Sequence, residues 1–241
     1  MLIHPWDAPS DDTEWQHWLA AHDFGQLAAN GLPGEPPRVQ PLHFAYDPAR
    51  GEAVTHLARP NPLWEALAVS PTVLLSVVDD YTFIPGPWQA NEDQPPEHGV
   101  PTSFYAAVQL TCTAHVVDDP EAKADLLRRQ MSHFQPNGGS APVAAGQAPY
   151  GRLLSGIRGL RLEVRDVHAK FKYGGKRGET VQHRISERLA ERNGPGDAAA
   201  RAHQQRRLAA NAAVPGSAAP AAPAPATRVS PVRSAPRPAG R

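Results

Sequence analysis

Arg59 and Asn61 are the residues of this chain best suited to hold an anion. They lie in VTHLARPNPLWEAL, residues 54–67. Val54, His56 and Ala58 alternate with Thr55, Leu57 and Arg59, the period of a strand. Pro60 ends the pairing. Asn61 is placed to cap a new helix, with Pro62 at its first position and Leu63, Trp64 and Leu67 on its apolar side. An anion at that junction would meet unpaired helix N–H groups, the positive end of the helix dipole and the planar fork of Arg59, with His56 alongside. The same residues also read as a plain strand followed by a capped helix, with Arg59 solvated and His56 bonded to a backbone carbonyl. Taken alone, the two readings weigh evenly.

Two further groups could bind polar ligands. Thr102, Ser103 and Tyr105 open the longest apolar stretch, just after a proline-rich loop. Hydroxyls at a strand entrance can bond a ligand's polar edge, and an aromatic ring can lie against a flat one. Lys170, Lys172, Lys176 and Arg177 flank Tyr173-Gly174-Gly175. The glycines permit close backbone approach, and the cations suit an anion. Neither GxxxxGK[ST] nor GxGxxG is present, so this is no nucleotide fingerprint. A hairpin-like exit with solvated lysines fits this stretch equally well. The 11 histidines are scattered without metal-ligand spacing. The single cysteine, Cys112, sits inside VQLTCTAHVV and reads as a small buried hydrophobe.

These groups need a frame. FGQLAAN (24–30), RVQPLHFAYD (38–47), residues 54–59, TVLLSVVDD (72–80), residues 101–119 and RLLSGIRGLRLEVRDVHAKFKYGG (152–175) read as strands. They follow one another through turns, which favours an antiparallel barrel over a doubly wound fold. TVLLSVVDD, a continuous apolar run, is expected to be buried on both faces. Helices are expected over 13–21, after Pro120 and over 181–192. The 241 residues carry 24 Lys plus Arg and 24 Asp plus Glu, unevenly spread. From Gly194 onward there are seven Arg, no Lys and one acid, leaving 17 basic and 23 acidic residues before it. Residues 1–193 therefore read as one mildly acidic domain, and 194–241 as a disordered basic tail rich in Ala, Pro and Arg. No secretory signal is expected at the N-terminus, and no apolar run nears the roughly 20 residues that cross a bilayer. The expected location is the cytoplasm.

HLARPNPLW (56–64), VPTSFYAAVQLTCTAHVVDD (100–119) and AKFKYGGKRG (169–178), with FGQL near residue 24, resemble the PaiB-like FMN-binding negative transcriptional regulators in order and spacing. The resemblance extends from residue 1 to about 192. It implies a mainly β (α+β) fold: an FMN-binding split β-barrel with flanking helices, related to the pyridoxamine-phosphate oxidases. It also implies a homodimer with flavin near the subunit interface. On that reading FMN is held by His56, Arg59, Asn61, Thr102, Ser103, Tyr105, Lys170 and Lys172, and the Gly174–Gly175 loop closes over it. The chain departs from the family at Pro85–Gln89 (commonly SPSWY), Ser103–Tyr105 (commonly WNY) and Lys172–Arg177 (commonly KLSQNR). Three functions fit: flavin-dependent redox chemistry, a non-catalytic regulator or ligand sensor, and a haem-binding or cofactor-free barrel. No residue stands out as a catalytic acid or base. DNA binding has no helix-turn-helix to rest on, although basic segments can touch nucleic-acid phosphate without reading sequence.

Overall fold

Seven antiparallel strands form one sheet in the order β2-β1-β5-β6-β7-β4-β3. The computed structural model describes residues 1–212. Its strands are β1 (Phe24–Ala29), β2 (Arg38–His43), β3 (Ala45–Asp47), β4 (Glu52–Ala58), β5 (Thr72–Ile84), β6 (Thr102–Val117) and β7 (Ile157–Lys172). Its helices are α1 (Asp12–Ala20), α2 (Leu63–Val69), α3 (Pro120–Phe134), α4 (Tyr150–Leu153), α5 (Glu179–Arg192) and α6 (Asp197–Ala212).

The two outermost strands of the sheet, β2 and β3, are separated by one residue, the fully buried Phe44. A sheet whose two ends are the same stretch of chain must curl into a barrel. The Thr55 hydroxyl, donating to the His43 carbonyl at 2.7 Å, ties β4 across the closure. The remaining split between β2 and β4 is bridged by the β4–α2 junction. Asn61 Nδ2 donates to Gln40 Oε1 at 3.0 Å, and Arg38 donates to the Pro62 carbonyl.

Alternation of apolar residues sets the interior. Phe104, Ala106, Val108, Leu110 and Cys112 of β6 all point inward. On β7 the inward set changes parity, from Leu160 and Leu162 to Ala169 and Phe171. Pairing skips from Cys112↔Val164 to Thr111↔Asp166, which leaves Arg165 as the bulged residue that makes the change. Burial pushes the Cys112 thiol up to about 12, as befits an inert core residue. Trp15, Trp18 and Leu19 bury the inner face of α1, which is capped by Asp11 accepting from the Glu14 N–H.

Besides the break of RVQPLHFAYD (38–47) at Phe44 into β2 and β3, two expectations fail here. β5 is central, lying between β1 and β6, but only one of its faces is covered. Val78 is 60% exposed, so the continuous apolar run does not mark a strand buried on both sides. The second failure concerns the stretch after Gly194. Residues 197–212 form α6, whose Asp197, Ala200, His203 and Gln204 are buried against the barrel. Its polar anchors include Asp197 with Arg192 and Thr82, His203 with Asp80, and Arg207 with the carbonyls of Trp6 and Ala8. Polar anchors take the place of the apolar area that the composition lacks. The rest of the expected tail, 213–241, lies outside the described residues.

Candidate functional site

A cavity of about 480 Å³ opens where the start of β6 meets the end of β7, a size within the usual range for small-molecule sites. Thr102 and Phe104 line it from β6, and Lys170 and Lys172 from β7. Gly174, Lys176 and Arg177 follow in the turn after β7, and Gln89 faces them from a short 3-10 turn. His4, Trp6 and Asp7 of the N-terminal arm complete the wall. Strand pairing explains the lysines' placement. Tyr105 is opposite Lys172 and Ala107 opposite Lys170, so both lysines leave the same face of β7. Gly174 has φ +79°, and a Cβ there would approach the Phe104 ring at 3.0 Å. Glycine thus lets the turn close on the cavity.

The polar groups are fixed but not exhausted. Lys172 Nζ donates to Thr102 Oγ1 at 2.9 Å, and Lys170 Nζ donates to the Leu2 carbonyl at 2.8 Å. Both ammonium groups lie within 6 Å of the Tyr105 ring. Burial and the neighbouring Lys170 charge push the Lys172 pKa down, because two cations share one low-dielectric corner. Burial likewise raises the pKa of Asp7, against the pull of Lys170. Gln89 is 3% exposed; its Oε1 accepts from Arg177 Nε at 3.1 Å. Its Nε2 has no partner among the described residues. An unpaired buried donor beside clustered cations is unfavourable until an acceptor arrives. The cavity's donor set and the aromatic wall of Trp6 and Phe104 suit a flat molecule with an anionic end.

The structure gathers Thr102, Lys170 and Lys172 at this cavity, with Tyr105 against the lysines. Ser103 is next to them, paired with Phe83. His56, Arg59 and Asn61 are elsewhere. His56 pairs with Gly159 on β7, thirteen residues before Lys172, roughly 40 Å along the strand at its usual rise. Each of the three has protein partners. Arg59 forks onto Asp118 at 2.6 and 3.2 Å and donates to the Ser155 carbonyl. Asn61 Oδ1 accepts from the Leu63 N–H at 2.9 Å, but the helix starts at Leu63 with Pro62 at its N-cap, one residue later than expected. His56 Nδ1 is 2.7 Å from Gln130 Oε1, not from a backbone carbonyl. Sequence reasoning missed Asp7, Trp6 and Gln89. The departure at Pro85–Gln89 was the signal for the last; the N-terminal arm carried none.

Fold and cavity together define a flavin-type split barrel, and the comparisons agree. Residues 1–166 match the family described as "Putative FMN-binding domain", and the chain belongs to that family. FMN is accordingly its cofactor. The chain is 25% identical over 142 residues to the protease synthase and sporulation protein PAI 2 of Bacillus subtilis (strain 168). That match covers 58% of this chain and 65% of the relative, just under two thirds of the relative's length. Among solved structures, the flavocytochrome Anf3 of Azotobacter vinelandii superposes with TM-score 0.55 at 18% identity, covering 74% of this chain and 75% of that one. The FAD and heme binding protein of Mycobacterium smegmatis gives 0.53 at 20% identity, covering 69% and 73%. These structures establish the shared fold. No helix among the described residues is long and apolar enough to cross a membrane.

Proposed function

We propose that the chain is a homodimeric redox flavoprotein that seats FMN in the cavity between β6 and β7. The observation that carries this reading is the unpartnered Gln89 Nε2 in a cavity lined also by Lys170, Lys172, Lys176 and Arg177. Bound FMN supplies hydride and single-electron transfer, chemistry that no side chain provides. The cations hold the phosphate and favour whichever state of the bound group carries more negative charge. Thr102 fixes Lys172, Phe104 and Trp6 wall off water, and the N-terminal arm covers the opening. Ser103 and Tyr105 support the lysine corner from β6.

The purified protein should be yellow, or turn yellow with added FMN, and release the flavin on denaturation. A nicotinamide reductant should bleach it. Colourless protein that refuses FMN would sink the seat; bound flavin that no reductant bleaches would favour a sensor or regulator. The regulator reading draws on the name of the Bacillus subtilis relative.

The dimer reading rests on the uncovered face of the sheet. Phe24, Val78, Tyr81 and Phe83 are each about half exposed or more, and such patches mark association surfaces. Val78→Glu should convert a dimer into a monomer by light scattering without lowering helicity. A wild-type monomer, or a variant that stays dimeric, would rule this face out.

A further inference from the structure

A second cavity, of about 230 Å³, lies at the other end of the barrel between α3, α4 and the start of β7. Leu127 and Met131 of α3, Val143, Tyr150, Leu154 and Ile157 make its walls, and among the described residues no charged side chain lines it. The imidazole-bearing residue among them is His56, from β4. Behind His56 stands Gln130, 2% exposed, whose Nε2 has no partner among the described residues. We infer that this cavity is a binding site for a small neutral molecule with an apolar body and a single hydroxyl or carboxamide end. The inference does not depend on where FMN sits.

The chemistry of the His56–Gln130 pair defines the polar end. With His56 Nδ1–H donating to Gln130 Oε1 at 2.7 Å, the other ring nitrogen is an acceptor and Gln130 Nε2 is a spare donor. If the amide is turned over, Nε2 donates to Nδ1. The other ring nitrogen then carries a proton, and the amide oxygen is left spare. Gln130 fixes the ring from behind, so at His56 the cavity meets an acceptor in the first arrangement and a donor in the second. A hydroxyl or carboxamide, being both donor and acceptor, satisfies His56 either way. A carboxylate or an ammonium ion does not, and neither could leave water for apolar walls without a counter-charge.

Volume and lining define the body. An apolar cavity of about 150 Å³ admits benzene, so this one takes a six-membered ring with a short substituent, or an aliphatic chain of similar bulk. It is too small and too apolar for FMN, whose phosphate needs fixed cations. Entry is on the side of Leu153, an α4 residue that stays largely exposed at the cavity mouth. This placement also gives His56 a role that neither a phosphate contact nor a buried core histidine accounts for.

The test uses the full chain and two probes of like shape, benzyl alcohol and toluene, followed by saturation-transfer NMR and calorimetry. Both should bind saturably to the parent. Gln130→Leu keeps the bulk and removes the polar pair, so it should weaken benzyl alcohol about tenfold and leave toluene within about twofold. Met131→Trp fills the cavity and should abolish both. If that variant melts early, Leu127→Phe replaces it. The inference is overturned if neither probe binds saturably. Binding that survives the filled variants, or equal loss of both probes in Gln130→Leu, overturns it too.

Discussion

Truncation after Asn193 should lower the melting temperature of this protein by 10 °C or more, and Asp197→Ala alone should take off roughly half of that. Asp197 is 1% exposed and accepts four hydrogen bonds: Arg192 Nη2 at 2.6 Å, Arg192 Nε at 2.8 Å, Thr82 Oγ1 at 2.6 Å and the Gly194 N–H at 2.8 Å. Removing the carboxylate strands a guanidinium and a hydroxyl against the barrel. For a pair with a partly exposed Arg, that costs about 2–3 kcal/mol. Gly196 leaves no slack for repacking: with φ +76°, a Cβ there would lie 1.9 Å from the Tyr81 carbonyl oxygen. The pH dependence has a definite sign. Hydrogen bonds from Arg192 lead in holding the Asp197 carboxyl at about 2, against an ordinary 3.8. Its stabilisation is full above pH about 4 and fades as pH falls towards 2. Calorimetry from pH 2 to 7 should therefore bring parent and Asp197→Ala together at the acid end. Equal melting temperatures of the full and truncated chains at neutral pH would show that α6 is not docked.

The second large effect is on cofactor affinity. Replacing Lys170 and Lys172 together with Met should weaken FMN binding at least about 100-fold, since a charge-assisted bond is worth about 1.5–3 kcal/mol. Stability should move little or rise, because burial and mutual repulsion already depress the Lys172 pKa. A site that strains the free protein and is relieved by its ligand behaves this way. Arg59→Ala is the matched control. Its ion pair with Asp118 is about 40% exposed on both sides, so it should cost under about 1 kcal/mol and shift FMN affinity less than about threefold. Equilibrium titration of flavin fluorescence reads all three proteins. If Arg59→Ala loses the flavin and the double variant keeps it, the seat is the β4–α2 junction.

The strands were legible because their alternation is local. β6 and β7 follow it over sixteen residues each, interrupted on β7 by the Arg165 bulge, which shows in the sequence as a change of parity. The lysines at the end of β7 were legible as a charge cluster beside glycines. What could not be read was pairing over distance. Asp118 meets Arg59 across fifty-nine residues, and nothing near either one announces the other. α6 was hidden for a different reason. Its Ala, Arg, Gln and Leu are good helix formers, yet average composition over 194–241 argued against a core. The helix docks through buried polar anchors that composition cannot register. The arm bearing Trp6 and Asp7 lacks any period, so only contact with the barrel reveals its part in the cavity.

Phe44 has one more consequence. Because a single buried residue joins the two ends of the sheet, β2 meets β4 across a split crossed by the Thr55–His43 and Asn61–Gln40 hydrogen bonds in place of a strand ladder. A foreign strand added along β2 would have to displace those side-chain bonds first, so side chains guard the one seam where backbone could recruit a neighbour.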